Sequence, residues 1–382
     1  MKLVVQVRLS PSAEQASALA ETLHACNAAA NQVSRVAFER NVFSRNDLQK
    51  LVYAELRSSG LGAQAAVRTV KKVVDAYTAT RARSGTGKLR GPSRARSEDK
   101  PIRFREGAAQ PFDDRMLSWQ HDAETVSIWT IAGRLKKVRF VGHPEQLKTL
   151  IAFRQGETDL VLRDGKLLLI ATCDVPEPPA FEPADWLGVD RGIVNLATTS
   201  DGTNFQGRRL RRYRRWQTRK RAELQAKRTK SATRRLRRRA RRERRHVTQV
   251  NHTIAKELVA VAQRTGRGIA LEDLSGIRDR VRPRRDQRAT HSSWPFRQLG
   301  TFIEYKAKRA GVPMITVDAR HTSQMCPRCG HTARNNRSDR DHFCCRRCGL
   351  AGPADHVAGI NVRNRARSAW VLVNVPEPVI GR

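Results

Sequence analysis

Three acidic residues stand in short apolar settings in the second half of the chain: Asp190 in DWLGVDRGIVNLATT, Glu272 in GIALEDL and Asp355 in GPADHVAGIN. Each lies at or just past the end of an apolar run, or at the start of a helical one. Carboxylates delivered from separate elements to one point are what two divalent metal ions need to hold both the attacking and the leaving oxygen of a phosphodiester. Hard oxygen donors suit Mg²⁺ or Mn²⁺, and the substrate implied is nucleic acid. Taken singly, each acid has an ordinary explanation. Asp190 could serve a turn or a cap, Glu272 or Asp273 could be a strand-end carboxylate, and Asp355 could cap the helix after it. It is the set that points to a metal site.

Four cysteines make a second pattern. CPRCG at 326–330 and CRRCG at 345–349 are two C-x2-C knuckles joined by fifteen residues. Such knuckles supply four thiolates, Cys326, Cys329, Cys345 and Cys348, for tetrahedral Zn²⁺, and the glycine after each pair permits a tight turn. Cys344 is an alternative to Cys345, although the matched CxxCG form favours Cys345. Four thiolates leave no open position for a water, so the expected zinc is structural. The remaining cysteines, Cys26 and Cys173, sit alone in apolar surroundings. This is metal-site usage in a reducing compartment, not a disulfide framework.

The balance of charge agrees. Against 36 Asp+Glu stand 74 Lys+Arg, a formal net charge of +38, which calls for a polyanionic partner to neutralise it. At 382 residues, 39% of them hydrophobic, the chain has material for two or three domains with real cores. The opening apolar run is broken by Gln6 and Arg8, and no later stretch has the length of a membrane span, so no membrane partner is expected and the reading is intracellular.

The elements that must position these residues follow from periodicity. Residues 2–8 read as a strand, followed by a helix capped at Ser10 with Pro11 in its first position. Leu19, Leu23, Cys26, Ala30, Val33 and Ala37 form its apolar stripe. Further helices begin at Ser44 and carry Val67, Val70, Val74 and Tyr77. These make a helical lobe over 10–96, ending in a basic Gly/Ser-rich linker from Gly85 to Arg96. Strands are expected at 125–131 and 136–141, with a hairpin in which Leu160 and Leu162 face Leu167 and Leu169 across Asp164-Gly165. Together with residues 1–9, the stretch 97–178 reads as a small β-barrel interrupted by the lobe. A Pro-rich connector at 175–183 leads to an α/β domain over 184–382. Its expected strands are 187–194, 196–199, 268–271 and 313–317. More than half of residues 208–245 are Lys or Arg, a density that repels itself unless phosphates are near.

In that order, LGVDRGIVNLATTSDG, ALEDLSG, VDARHTSQMCPRCGH, and FCCRRCG followed by ADHVAGINV resemble the successive RuvC motifs and inserted zinc ribbon of the TnpB family. These are transposon-encoded RNA-guided nucleases related to the miniature type V CRISPR effectors, and the likeness runs along essentially the whole chain. It implies an α/β nuclease domain of the RuvC or RNase H-like kind at 184–382, with a zinc ribbon inserted at 320–351. It implies a wedge-like barrel at 1–9 and 97–178 and a recognition lobe at 10–96. Asp190, Glu272 and Asp355 match the catalytic, Mg²⁺-holding carboxylates. Cys326, Cys329, Cys345 and Cys348 match the zinc ligands. The implied partners are a guide RNA and target DNA, with one or two protein copies, in the bacterial cytoplasm at the nucleoid. The implied activity is RNA-guided DNA cleavage. A silent-nuclease repressor and a type V effector are the alternatives. One position departs from the family: Val357 stands where an Asn usually follows the third acid, and this is expected to loosen Asp355, while Asn361 keeps the pattern.

Overall fold

The computed structural model describes residues 1–86, 99–277 and 296–374. Most of the expected basic linker lies outside these residues, as does Trp294, where the sequence WPFRQLGTFIEYKAKRA reads as the start of a helix running to about Ala310. Two compact units divide the chain, Met1–Pro176 and Glu177–Arg382.

The first unit carries a seven-stranded antiparallel sheet and three long helices. Its strands are β1 (Lys2–Leu9), β2 (Gln110–Phe112), β3 (Leu117–Gln120), β4 (Thr125–Thr130), β5 (Gly133–Val141), β6 (Arg154–Arg163) and β7 (Lys166–Asp174), in the order β2-β6-β7-β1-β5-β4-β3. The hairpin takes the expected register, Leu160 opposite Leu169 and Leu162 opposite Leu167. Asp164 and Gly165 both have positive φ, 54° and 73°, as a type I′ turn requires. The ladder differs from a closed barrel: among the described strands no pairing joins β2 to β3, edge strands of three and four residues. Closure needs edges long enough to pair with each other.

Helices α1 (Ala13–Glu39), α2 (Arg45–Ser58) and α3 (Ala63–Gly85) interrupt the sheet, and a short α4 (Pro144–Phe153) bridges β5 and β6. All six stripe residues of α1 are fully buried. The helix begins later than the Ser10-Pro11 pair suggests. Ser12 Oγ accepts from the Gln15 N–H at 3.2 Å, and the Gln15 side chain accepts from the Ser12 N–H at 3.1 Å. This reciprocal capping box satisfies two orphan donors, more than a proline at the first position can do.

In the second unit, β8 (Asp185–Asp190), β9 (Asn195–Thr199), β10 (Asn204–Gln206), β11 (Arg267–Asp273) and β12 (Met314–Asp318) form a mixed sheet in the order β10-β9-β8-β11-β12. β11 runs parallel to β8 and to β12, while β9 runs antiparallel to β8. Helices α5 (Arg208–Ala226) and α6 (Lys230–Arg264) lie between β10 and β11, and α7 (Phe296–Arg309) precedes β12. β13 (His342–Cys344) and β14 (Ala351–Pro353) lead into α8 (Ala354–Asn374). The period-two alternation of the strands sorts side chains to two faces. Leu187, Val189, Ile269 and Leu271 pack with Ile254 and Leu258 of α6 and Ile303 of α7. Trp186 and Ala270 pack with Val362 and Ala366 of α8. Asp190 is four residues from Trp186 and Glu272 two from Ala270, so both acids fall on the α8 face.

The strand expected to run to Val194 stops at Asp190. The chain reverses at once, and Gly192 makes this possible, because a Cβ there would lie 2.6 Å from the Asn195 carbonyl oxygen. Gly188 sets the approach of α8 to β8: its Cβ would stand 2.1 Å from the Gly359 oxygen and 2.5 Å from the Arg363 nitrogen. Among the described residues no helix is long and apolar enough to cross a membrane.

Candidate metal centres

β8 and β11 are parallel neighbours, so their C-terminal ends lie side by side and present Asp190 and Glu272 together. The first turn of α8 adds Asp355. Asp190 and Glu272 share a hydrogen bond. Asp190 keeps some exposed area, yet the protein around its carboxyl is as dense as an interior site. Desolvation therefore leads in pushing its pKa well above the usual carboxylate range. The charges of Glu272 and Asp355 add to this, and Arg337 opposes it. Glu272, 5% exposed, is also raised by burial, against the pull of its hydrogen bonds with Thr322 and Asp190 and of the Arg191 and Arg365 charges.

Glu272 and Asp355 are anchored by different neighbours. Thr322 Oγ1 donates to Glu272 Oε1 at 2.5 Å. The Thr322 carbonyl accepts from Asn361 Nδ2 at 2.7 Å, as does that of Met325. Asn195 Nδ2 donates to Asp355 Oδ2 at 2.8 Å, and Arg337 Nη2 to Asp355 Oδ1 at 3.1 Å. Arg191 Nη2 donates to the Glu272 carbonyl. The expected loosening of Asp355 is not what these contacts describe, because both its oxygens are held. Val357 turns instead into the apolar cluster of Cys326, Phe343, Cys345 and Ala354.

The cysteine knuckles meet as a pair. The ligand atoms of Cys326, Cys329, Cys345 and Cys348 all lie within 4.8 Å of one another. In each knuckle the glycine N–H returns to the first cysteine's carbonyl, Gly330 to Cys326 and Gly349 to Cys345, with φ of 71° and 73°. Burial raises the Cys345 thiol, but backbone N–H groups of Cys348 and Arg347 and the thiols of Cys329 and Cys326 outweigh it and bring the pKa to about 6. A thiol so disposed suits a metal ligand. Cys344 is not part of this group. Among the described residues the three acids are not drawn together as closely as the four thiols.

Comparison with known proteins assigns both halves of this unit. The family described as a probable transposase, of the OrfB IS605 type, matches residues 171–275, and the Cas12f1-like TNB domain matches residues 296–362. A TnpB-like protein of Methanocaldococcus jannaschii is 24% identical over 66% of this chain and 94% of its own length. The putative RNA-guided DNA endonuclease InsQ of Escherichia coli K12 is 26% identical over 46% of this chain and 48% of its own. The chain is similar to TnpB-family proteins and, in its second unit, to Cas12f.

The CRISPR-associated endodeoxyribonuclease Cas12f1 of Sulfoacidibacillus thermotolerans is 37% identical, but the match spans 29% of this chain and 25% of that protein. Its fold is similar to that of Cas12f1 solved with sgRNA and target DNA, with a TM-score of 0.58 at 12% identity over 96% of this chain and 99% of that one. It is similar too to CasPhi-2 (Cas12j) solved with crRNA, with a TM-score of 0.57 at 11% identity over 95% and 98%. The residues that sequence reasoning passed over are Asn195, Thr322, Arg337 and Arg191. All four lie within or beside the motifs, but nothing in their spacing distinguishes them from ordinary loop residues.

Proposed function

We propose that this chain is an RNA-guided DNA endonuclease of a transposable element. In this reading residues 184–382 form a RuvC or RNase H-like nuclease domain, 320–351 its zinc ribbon, and the first unit the part that grips guide RNA and the guide-target heteroduplex. Base pairing supplies sequence choice, and the protein supplies charge, shape and chemistry. The observation that carries the proposal is the gathering of Asp190 and Glu272 at the adjacent ends of parallel β8 and β11, in register one residue past the Val189–Leu271 pair, with Asp355 adding its charge.

An all-oxygen, net anionic donor set of this kind fits Mg²⁺ or Mn²⁺, just as four thiols fit a structural Zn²⁺. Bound at Asp190, Glu272 and Asp355, such ions would neutralise charge and activate water toward a phosphodiester. The surrounding residues hold the donors in place. Thr322 fixes one oxygen of Glu272, and Asn195 and Arg337 fix both oxygens of Asp355. Arg191 holds the end of β11 through the Glu272 carbonyl. Asp190, crowded by carboxylates, is the acid most in need of a cation.

The test is to express the protein with its flanking DNA, sequence the RNA that co-purifies, and incubate the complex with Mg²⁺ and plasmids bearing the matching target behind a randomised flank. Guide-dependent, EDTA-sensitive linearisation that disappears in Asp190→Ala is expected. Full cleavage by Asp190→Ala would sink the site assignment, and the lack of any defined RNA would overturn RNA guidance.

A further inference from the structure

The helices α5 and α6 pair in antiparallel fashion. Tyr213 meets His246 and Trp216 meets Arg239, so numbers fall on one helix as they rise on the other, and the long side chain of Arg221 reaches Glu243. Each turns a stripe of side chains to the seam at helical spacing. From α5 come Trp216, Lys220, Glu223 and Leu224, with Lys227 just past its end, and from α6 come Arg235, Arg238, Arg239 and Arg242. Below Trp216 these stripes enclose a groove of about 410 Å³.

Its charge is unbalanced. Glu223, the single acid lining it, pairs with Lys220 at 2.8 Å. Lys227, Arg235, Arg238, Arg239 and Arg242 line the same groove, and none has a carboxylate partner among the described residues. Arg239 joins the groove to the aromatic at its end. Its guanidinium carbon stands 4.4 Å over the Trp216 ring, and its Nε and Nη2 are buried without a hydrogen-bond partner. Phosphate oxygens are the acceptors that match a guanidinium fork. Trp216 itself remains 45% exposed on this cationic surface, although Tyr213 lies 6.0 Å away on the same helix. An exposed indole beside a row of unpaired arginines is the pairing by which single strands are held, charge for the backbone and a ring for a base.

We propose that this groove holds a short single-stranded stretch of nucleic acid, its phosphates on Arg235, Arg238, Arg239 and Arg242 and one base stacked on Trp216. The ligand class rests on the nucleic-acid reading above, and nothing in the groove depends on the metal chemistry.

Binding of labelled oligouridylate and oligothymidylate to the full-length protein, across a salt series in EDTA, tests it. Trp216→Ala is expected to weaken binding roughly 5- to 150-fold with the salt slope unchanged, and Trp216→Phe to restore most of the loss. Arg238→Ala with Arg242→Ala should lower the slope by about 1.4. Photocrosslinking of 5-bromouridine-substituted RNA and its DNA counterpart should mark the tryptic peptide Trp216–Arg219. Loss on RNA alone identifies an RNA strand, loss on DNA alone a DNA strand, and equal loss on both a strand of either kind. Unchanged binding by Trp216→Ala to both oligonucleotides, with no crosslink on that peptide, would overturn the groove. Guided cleavage that survives such a result would leave the nuclease reading intact. Binding as expected in a protein that never cuts would overturn only the latter.

Discussion

Each of the two units has a cluster of ionisable groups set back from solvent, and the two are assembled on opposite plans. In the first unit Arg68 sits between Asp113, 2.8 Å away, and Glu157, with Lys71 3.4 Å from Glu157 as well. Positive and negative charges alternate, as ion pairs that serve a fold should. In the second unit Asp190, Glu272 and Asp355 are gathered with each other. The hydroxyl and amide of Thr322 and Asn195 hold oxygens in place without cancelling their charge, and Arg337, 3.1 Å from Asp355, offsets only part of it. Self-repulsion of this kind costs stability, and such perturbed groups concentrate where chemistry is done.

Breaking the two clusters should therefore have opposite consequences, and this is the largest effect expected. Arg68→Met strands Asp113 and Glu157 and should cost roughly 3 kcal/mol, read from the denaturant midpoint of the first unit. Asp190→Asn should abolish cleavage yet raise the melting temperature of the metal-free protein, because an amide there neither repels the neighbouring carboxylates nor has to take up a proton on folding. Mg²⁺ should stabilise the wild type and not this variant. A fall in metal-free stability on Asp190→Asn would place the carboxylate among structural ion pairs like that of Arg68.

The cysteine knuckles sharpen the contrast, since they too collect like ligands but with a soft metal in view. Cys329→Ser should reduce bound zinc, measured by mass spectrometry, from one per chain to near none. The consequence should reach the acids, because Asn361 ties the Thr322 and Met325 carbonyls that lead into the ribbon, and Thr322 holds Glu272. Loss of that support should lower cleavage by about 10- to 100-fold. Cleavage at the wild-type rate with zinc gone would uncouple ribbon from site.

What was legible in the sequence had chemistry or period behind it. The acids at strand ends and the matched knuckles carry both, and the stripe of α1 carries the second. The end of β8 was misjudged because Ile193 and Val194 continue the apolar run, while the reversal depends on the closeness of Gly192 to the Asn195 carbonyl. The basic stretch divides at Lys227, where Arg228 takes a positive φ of 48° and Thr229 Oγ1 caps the next helix by accepting from the Ala232 N–H. Local charge density conceals that break. Asn195 and Thr322 were invisible for a different reason: their carboxylate partners lie 160 and 50 residues away, and no local pattern encodes such a pairing.

Val357 is the next test, smaller in size. Restoring the family's usual amide with Val357→Asn would place a polar group at a position 4% exposed among Cys326, Phe343, Cys345 and Ala354. Burial without a partner should cost about 1–3 kcal/mol. The expected result is faster hydrogen exchange in β13 and β14 with no gain in cleavage. A clear rise in cleavage would mean that Asp355 needs an amide beyond Asn195.

The smallest expected effect returns to the first unit, where even its well-paired interior has a cost that pH reveals. Lys72 Nζ donates to Asn27 Oδ1 at 2.5 Å and lies 4.9 Å from the centre of the Phe104 ring, and burial lowers its pKa from 10.5 to about 8. Between those values the unfolded chain holds a proton that the folded chain has released, so stability rises with pH, by at most about 1.4 kcal/mol per unit. Cys26, beside it, is raised by burial from 9.0 to about 11. There the folded thiol keeps a proton that the unfolded one loses, and stability falls as pH climbs above 9. The two opposing slopes confine the net gain to about pH 8–9. Cys26→Ala should extend the rise toward pH 10.5, and Lys72→Met should remove it. Hydrogen exchange of the α1 and α3 amides across this range would resolve the two slopes. A profile flat from pH 8 to 9 in the wild type would mean that Lys72 keeps its proton in the fold, held by the Asn27 amide oxygen against the surrounding apolar side chains.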